Sequence, residues 1–328
     1  MKNLLLTLLF FVFLSSQVLF SQDGITTKGQ EKETEIPKFL IKPRYPDNLA
    51  FVYKRTSDTK VTQVLSDSTK RTFQRIMDIY FTFYSPGKPV DGFTELRVSV
   101  DSLEYRYIIG QDTTYYNSQD DEAVPPFKLQ DFEANGLLLG KEFTFNYSSY
   151  WDVGKVGGSR LEQLRRFIND PIDGIDDSLR KYIWNYRLSS PFLTSFVDIL
   201  KNYMPNKPLD TLEIRSIPFT IDIEENLFFD TAKVKLSGIE DNQYKLKGTL
   251  SNIKNKKSQT RIPGFNILVD VVHTEGKGEY TLFITPQGRV DGSNGKFTIE
   301  MLLKEKQELI YQKIEEQINY QLLNNYKI

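Results

Sequence analysis

Apolar residues recur at every second position over much of the chain, a period that predicts strands with one dry face. Ile79, Phe81 and Phe83 share a parity, and the turn residues Pro86, Gly87, Pro89 and Gly92 follow them. Thr94, Leu96, Val98 and Val100 then alternate with Phe93, Glu95, Arg97 and Ser99. Beyond Asp101 the apolar set moves to Leu103, Tyr105, Tyr107 and Ile109. A one-residue slip turns every side chain to the opposite face, so a bulge is expected near Asp101-Ser102. Phe143, Phe145 and Tyr147 form a further strand of this kind.

The period changes in the middle of the chain. Gly157-Gly158 ends the alternation, and Ser159-Arg160-Leu161-Glu162 reads as a capping box ahead of Leu161, Leu164, Phe167 and Ile168. A second helix is predicted to start at Asp176 or Asp177 and to include Leu179, Ile183 and Trp184. A third is predicted to start at Ser190-Pro191, with Phe192, Phe196, Ile199, Leu200 and Tyr203 on one face. Alternation then resumes at Phe219, Ile221 and Ile223, at Val234 and Leu236, and at Tyr244, Leu246 and Leu250. It continues at Tyr280, Leu282 and Ile284 and at Phe297, Ile299, Met301 and Leu303. In the stretch 304–323, Ile310, Ile314, Ile318 and Leu322 fit helix and strand alike; its Gln, Glu, Lys and Leu content favours helix.

These patterns predict a β-dominated α+β fold. Long antiparallel strands in two halves, 48–158 and 209–328, form two sheets or one curved half-barrel-like sheet on the helical segment 159–208. Ahead of them, Lys2, the apolar run Leu4–Leu14 and the polar Ser15-Ser16-Gln17 have the order of a secretory signal, cleaved after Ser21. That run is shorter than the roughly 20 residues needed to cross a bilayer as a helix. Residues 22–47 read as a mobile polar leader. The expected address is therefore the periplasm or the exterior, with a soluble mature chain and no transmembrane segment.

Composition removes several chemistries. The chain has no cysteine, which excludes disulfides and thiolate metal sites. Its 42 basic and 43 acidic residues give no basic excess for a nucleic-acid partner. His273 is the single histidine, and no Gly-x-Ser-x-Gly elbow is present. Gly154-Lys155-Val156-Gly157-Gly158-Ser159 lacks the spacing of a phosphate loop and reads as a strand-to-helix connection. Asp170, Asp173, Asp176 and Asp177 lack the alternate order of a calcium loop. Lys254, Lys256, Lys257 and Arg261 read as a polar hairpin loop. No cofactor is implied.

What stands out is aromatic: 18 Tyr and 23 Phe. Tyr105, Tyr107, Tyr115, Trp151, Phe192 and Phe196 are the candidate lining of an apolar ligand site. The leading expectation is a non-catalytic exported protein that binds an apolar small molecule or an envelope protein. The alternatives are an envelope scaffold without a pocket and a carbohydrate-active enzyme using paired carboxylates.

The order of signal, opening strand Leu49-Ala50-Phe51-Val52-Tyr53, helical middle ending in Met204-Pro205-Asn206-Lys207-Pro208-Leu209, and closing Gly278-Glu279-Tyr280-Thr281-Leu282 resembles uncharacterised exported bacterial proteins. That family is built from two β halves around a helical segment, and the resemblance implies no catalytic residues. At the level of fold, the layout is also similar to periplasmic lipoprotein-carrier half-barrels.

Overall fold

The computed structural model describes residues 38–39, 46, 48–85, 91–121, 132, 135–148, 153–172, 174, 177–197, 209–210, 213–262 and 267–328. The predicted signal, most of the leader, Trp151 and the Pro-Asn-Lys-Pro stretch lie outside them. Every element below belongs to the unit Pro37–Ile328.

Two residues of β1 (Lys38–Phe39) pair with two of β8 (Leu209–Asp210). The other strands form one sheet of 14. Its first half contains β2 (Leu49–Val64), β3 (Lys70–Tyr84), β4 (Phe93–Ile109), β5 (Asp112–Asn117), β6 (Glu142–Ser148) and β7 (Val153–Gly157). The second half begins with β9 (Arg215–Ile223), β10 (Asn226–Glu240), β11 (Gln243–Leu250), β12 (Lys254–Asn255) and β13 (Gln259–Ile262). It ends with β14 (Ile267–Ile284), β15 (Val290–Glu305) and β16 (Glu308–Lys327). The order is β12-β10-β11-β14-β15-β16-β2-β3-β4-β6-β7, with β13 on β14, β5 on β4 and β9 on β10.

The two halves are thus one sheet, and the joint is β16. This strand hydrogen-bonds β15 on one side and β2 on the other. The stretch 304–323 is therefore strand, against the helix that propensity favours. Ile310, Ile314 and Ile318 are buried on one side, and two flanking strands satisfy the backbone. Tertiary pairing overrides intrinsic preference here.

The parity change in β4 has the predicted cause. Tyr80 pairs with Ser102 but Phe81 with Val100, so Asp101 is the extra residue of a bulge. Leu96, Val98 and Val100 before it, and Leu103 and Tyr105 after it, all stay buried. The bulge also divides the partners of β4, since β6 pairs with Phe93–Ser99 and β5 with Glu104–Ile109.

Side chains paired directly across strands share a face. One row on the buried face runs Phe297, Glu316, Thr59, Arg75 and Tyr107 across β15, β16, β2, β3 and β4. The next runs Gly295, Ile318, Ser57, Met77 and Tyr105. On β14 and its neighbours, aromatic rings oppose glycines: Tyr280 faces Gly248 and Gly295, and Phe297 faces Gly278. A Cβ at Gly248 would stand 2.1 Å from the Tyr280 ring, so the glycine is what lets that ring lie flat. Phe219 of β9 closes over this patch, 5.5 Å from Tyr280 and 5.7 Å from Phe297 between ring centroids. The β9–β10 hairpin therefore lies across the buried face. The first half of β10 pairs with β9 and the second with β11.

Three short helices follow β7. They are α1 (Ser159–Asn169), α2 (Ser178–Arg187) and α3 (Ser190–Thr194), which runs into a 3-10 turn at Ser195–Val197. Two caps differ from the expected ones. Gly158 precedes α1 and no side chain caps it, because a Cβ there would meet Phe143 Cα at 3.2 Å and φ is 132°. Ser189, one residue before the expected Ser190, caps α3 by accepting from Phe192 N. Asp177 caps α2 as expected, accepting from Arg180 N at 2.7 Å. Arg165 of α1 donates twice to Leu188 O, at 3.0 and 2.6 Å, and joins α1 to the end of α2. No helix among the described residues is long and apolar enough to cross a membrane.

Candidate functional site

A polar seam crosses the buried face of the sheet where β2, β3 and β16 meet. Arg55, Ser57, Thr59, Arg75 and Glu316 share parity with Tyr53, Val61, Met77, Ile314 and Ile318, so the pleat carries them inward with the apolar residues. Glu316 is central. It accepts from the Ser57 hydroxyl at 2.9 Å and from the Thr59 hydroxyl. Arg55 Nε donates to the Tyr320 hydroxyl at 3.1 Å, and that hydroxyl donates to Ser195 O. Burial raises the Glu316 carboxyl to about 7, against the pull of its hydroxyl partners and of Arg55 and Arg75.

Arg75 carries the seam across to the β9–β10 turn, where it pairs with Glu224 at 2.6 Å. Glu224 and Glu225 are the two central residues of that turn, with φ of 49° and 62°. Such turns favour Asn-Gly, and each non-glycine residue there is strained by about 1–2 kcal/mol. The turn directs both carboxyls inward, Glu224 to Arg75 and Glu225 to the neighbourhood of Arg187 on α2. Nearby, Tyr186 donates its hydroxyl to Asp222. Burial raises the carboxyls of Asp222 and Glu225 above their ordinary range.

The basic stretch read as a polar loop also packs here. Lys257 Nζ donates to Glu225 O at 2.6 Å and lies 5.1 Å from the Tyr186 ring. Arg261 of β13 lies over the Tyr182 ring at 4.3 Å, and Lys254 donates to Thr274 O at 2.9 Å. It is a folded part of the floor beneath α2, formed in part by β12 and β13.

The aromatic candidates fall into separate places. Tyr105 is buried against Phe132, with centroids 5.2 Å apart, and Tyr107 lies 5.6 Å from Phe73. Both border the seam, opposite Met77 and Arg75. Tyr115 is 50 % exposed and lies under the Arg106 guanidinium. Phe192 and Phe196 come together 6.1 Å apart, and Phe196 packs between Phe81 and Phe143 at 5.8 and 5.7 Å. Trp151 lies outside the described residues. Asp170 accepts from Ile172 N, and His273 is exposed on β14, 3.6 Å from Glu275. Among the described residues, no group of three or more metal-ligating side chains comes together.

Sequence reasoning missed the seam because Arg55, Ser57, Thr59 and Glu316 look like solvent-facing residues. The usable signal was their parity with Phe51, Tyr53 and Ile314.

No protein-family model matches the chain, and no curated protein does. Among solved structures the chain is similar to lipovitellin, in a structure concerned with lipid–protein interactions. That match has a TM-score of 0.51 and 8 % identity and covers 87 % of this chain and 26 % of that one. The chain is also similar to DynF from the dynemicin biosynthesis pathway of Micromonospora chersina, with TM-score 0.23, 9 % identity and coverage of 93 % and 94 %. An outer membrane channel from Pseudomonas putida F1 gives TM-score 0.24, 5 % identity and coverage of 86 % and 97 %. At such identity the lipovitellin likeness is one of fold, and this chain spans about a quarter of lipovitellin's length.

Proposed function

We propose that this chain is a non-catalytic exported protein of the bacterial envelope that binds an apolar ligand on the inner face of its sheet. The segment from α2 to the 3-10 turn serves as the cover. The observation that carries this reading is the seating of the cover. Phe196 fills an aromatic site between Phe81 and Phe143, while polar ties at Tyr320–Ser195 and Tyr186–Asp222 hold the segment down. Raising such a cover bares aromatic surface that an acyl chain can replace. Phe192 and Phe196 then line the ligand, with Tyr105 and Tyr107 further along the sheet and Tyr115 at its rim; Trp151, the remaining candidate, lies outside the described residues. The fold shared with lipovitellin, a protein studied for its lipid–protein interactions, supports the reading. So does the secretory order of residues 1–21.

Native mass spectrometry of the processed protein, purified without detergent from an envelope fraction, tests it. The expected result is a species heavier by the mass of a lipid. A bare mass, together with no uptake of a fluorescent fatty-acyl probe, would overturn the proposal.

A further inference from the structure

Among the described residues, the buried side of α2 carries two donors without acceptors. Trp184 and Arg187 are three positions apart, which places them on one side of the helix, and they are 6 % and 4 % exposed. Trp184 Nε1 and Arg187 Nε have no hydrogen-bond partner, and Arg187 makes no ion pair among the described residues. Its guanidinium instead meets ring faces, Phe192 at 4.6 Å and Tyr186 at 5.8 Å. Ring faces replace only part of what water or a carboxylate gives a buried cation.

The surrounding charges do not supply the missing acceptor. Asp222 accepts from Tyr186, and Glu224 pairs with Arg75. Glu225 stays near Arg187 without bonding it, and burial pushes both Asp222 and Glu225 toward the neutral form. Arg187 and Lys257 lie close enough to Asp222 and Glu225 to counter the burial of both carboxyls, yet neither carboxyl bonds the Arg187 guanidinium. The same guanidinium touches the apolar path, because Phe192 leads to Phe196 and on to Phe81 and Phe143.

We propose that Arg187, with the Trp184 indole N–H one turn before it, is the head-group subsite for an amphiphile with a single acidic head. Its tail follows Phe192 and Phe196 onto the sheet. This rests on the apolar-ligand reading above and names the ligand class for the same site.

Dodecanoate and dodecanol, titrated separately into the full chain, share a tail and differ in head charge. Tryptophan fluorescence and displacement of a fatty-acyl probe report binding. Dodecanoate is expected to bind at least about tenfold more tightly than the alcohol, the range of a charge-assisted hydrogen bond. Arg187→Gln should bring the acid to the level of the alcohol and leave the alcohol unchanged. If circular dichroism shows that variant unfolded, Arg187→Lys, which keeps the charge but loses the planar fork, should retain a reduced preference for the acid. Equal binding of acid and alcohol by the unaltered protein, as expected if buried water satisfies both donors, overturns the head-group subsite and leaves the apolar-ligand reading standing. Binding of neither overturns both.

Discussion

Glu316 has a measurable consequence for stability. Its carboxyl, ordinarily near 4.5, is raised to about 7 in the folded chain. Between those values the folded protein holds a proton that the unfolded chain has released. The stabilisation is therefore complete below about pH 4.5 and is lost as pH rises through about 7. The shift corresponds to about 3 kcal/mol. Glu316→Gln, which can still accept from one hydroxyl and donate to the other, should flatten this slope. Urea midpoints of wild type and variant at about pH 5 and pH 8 would measure it. A fall of equal size in both proteins would remove Glu316 as its source. Little of this residue's role was legible in the sequence. Parity placed it with Ile314 and Ile318, but a single glutamate in a stretch rich in Gln and Glu offered no contrast. The hydroxyls that hold it come from β2, more than 250 residues away in sequence.

At the scale of elements, the sequence was most readable where apolar residues alternate against polar ones. The strands at 79–83, 93–109, 219–223, 280–284 and 297–303 stand where the pattern put them, and the bulge at Asp101 follows from parity alone. It was least readable where inward residues are themselves polar, as in the second half of β2, or where helix and strand periods coincide, as in β16. The helix starts were displaced for local reasons, by the approach of Gly158 to β6 and by the reach of Ser189 to Phe192 N. The weight carried by β16 gives a direct test. Ile314 is fully buried and pairs with Ile299 on one side and Val61 on the other. Ile314→Ala should cost about 2–5 kcal/mol. An exposed neighbour on the same strand, as in Gln317→Ala, should change stability by less than about 0.5 kcal/mol. Equal urea midpoints for the two variants would contradict the central placing of β16.

For the molecule as a whole, the sheet and its cover should differ in how readily they open. The long strands are locked by continuous ladders on both sides, whereas α2, α3 and the following turn are short and are held by side-chain ties. Hydrogen exchange read by mass spectrometry should find peptides from 178–197 exchanging at least about tenfold faster than those from 49–64 and 308–320. Equal protection would make the helices part of one cooperative unit and leave the proposed cover unable to lift on its own. At this scale the sequence showed only part of what surrounds the candidate site. The aromatic candidates were visible in the sequence, but the charges described beside them come from six separated segments, and only the folded topology gathers them.

A sheet whose two halves meet at β16 cannot close before that strand is available. Residues 308–327 zip β15 to β2, so a polypeptide emerging from the ribosome has both flaps in hand long before the thread that sews them. Until then β2 offers an open edge, and contacts such as Ser57 with Glu316 must wait for a partner 259 positions downstream. Delayed closure of this kind slows folding.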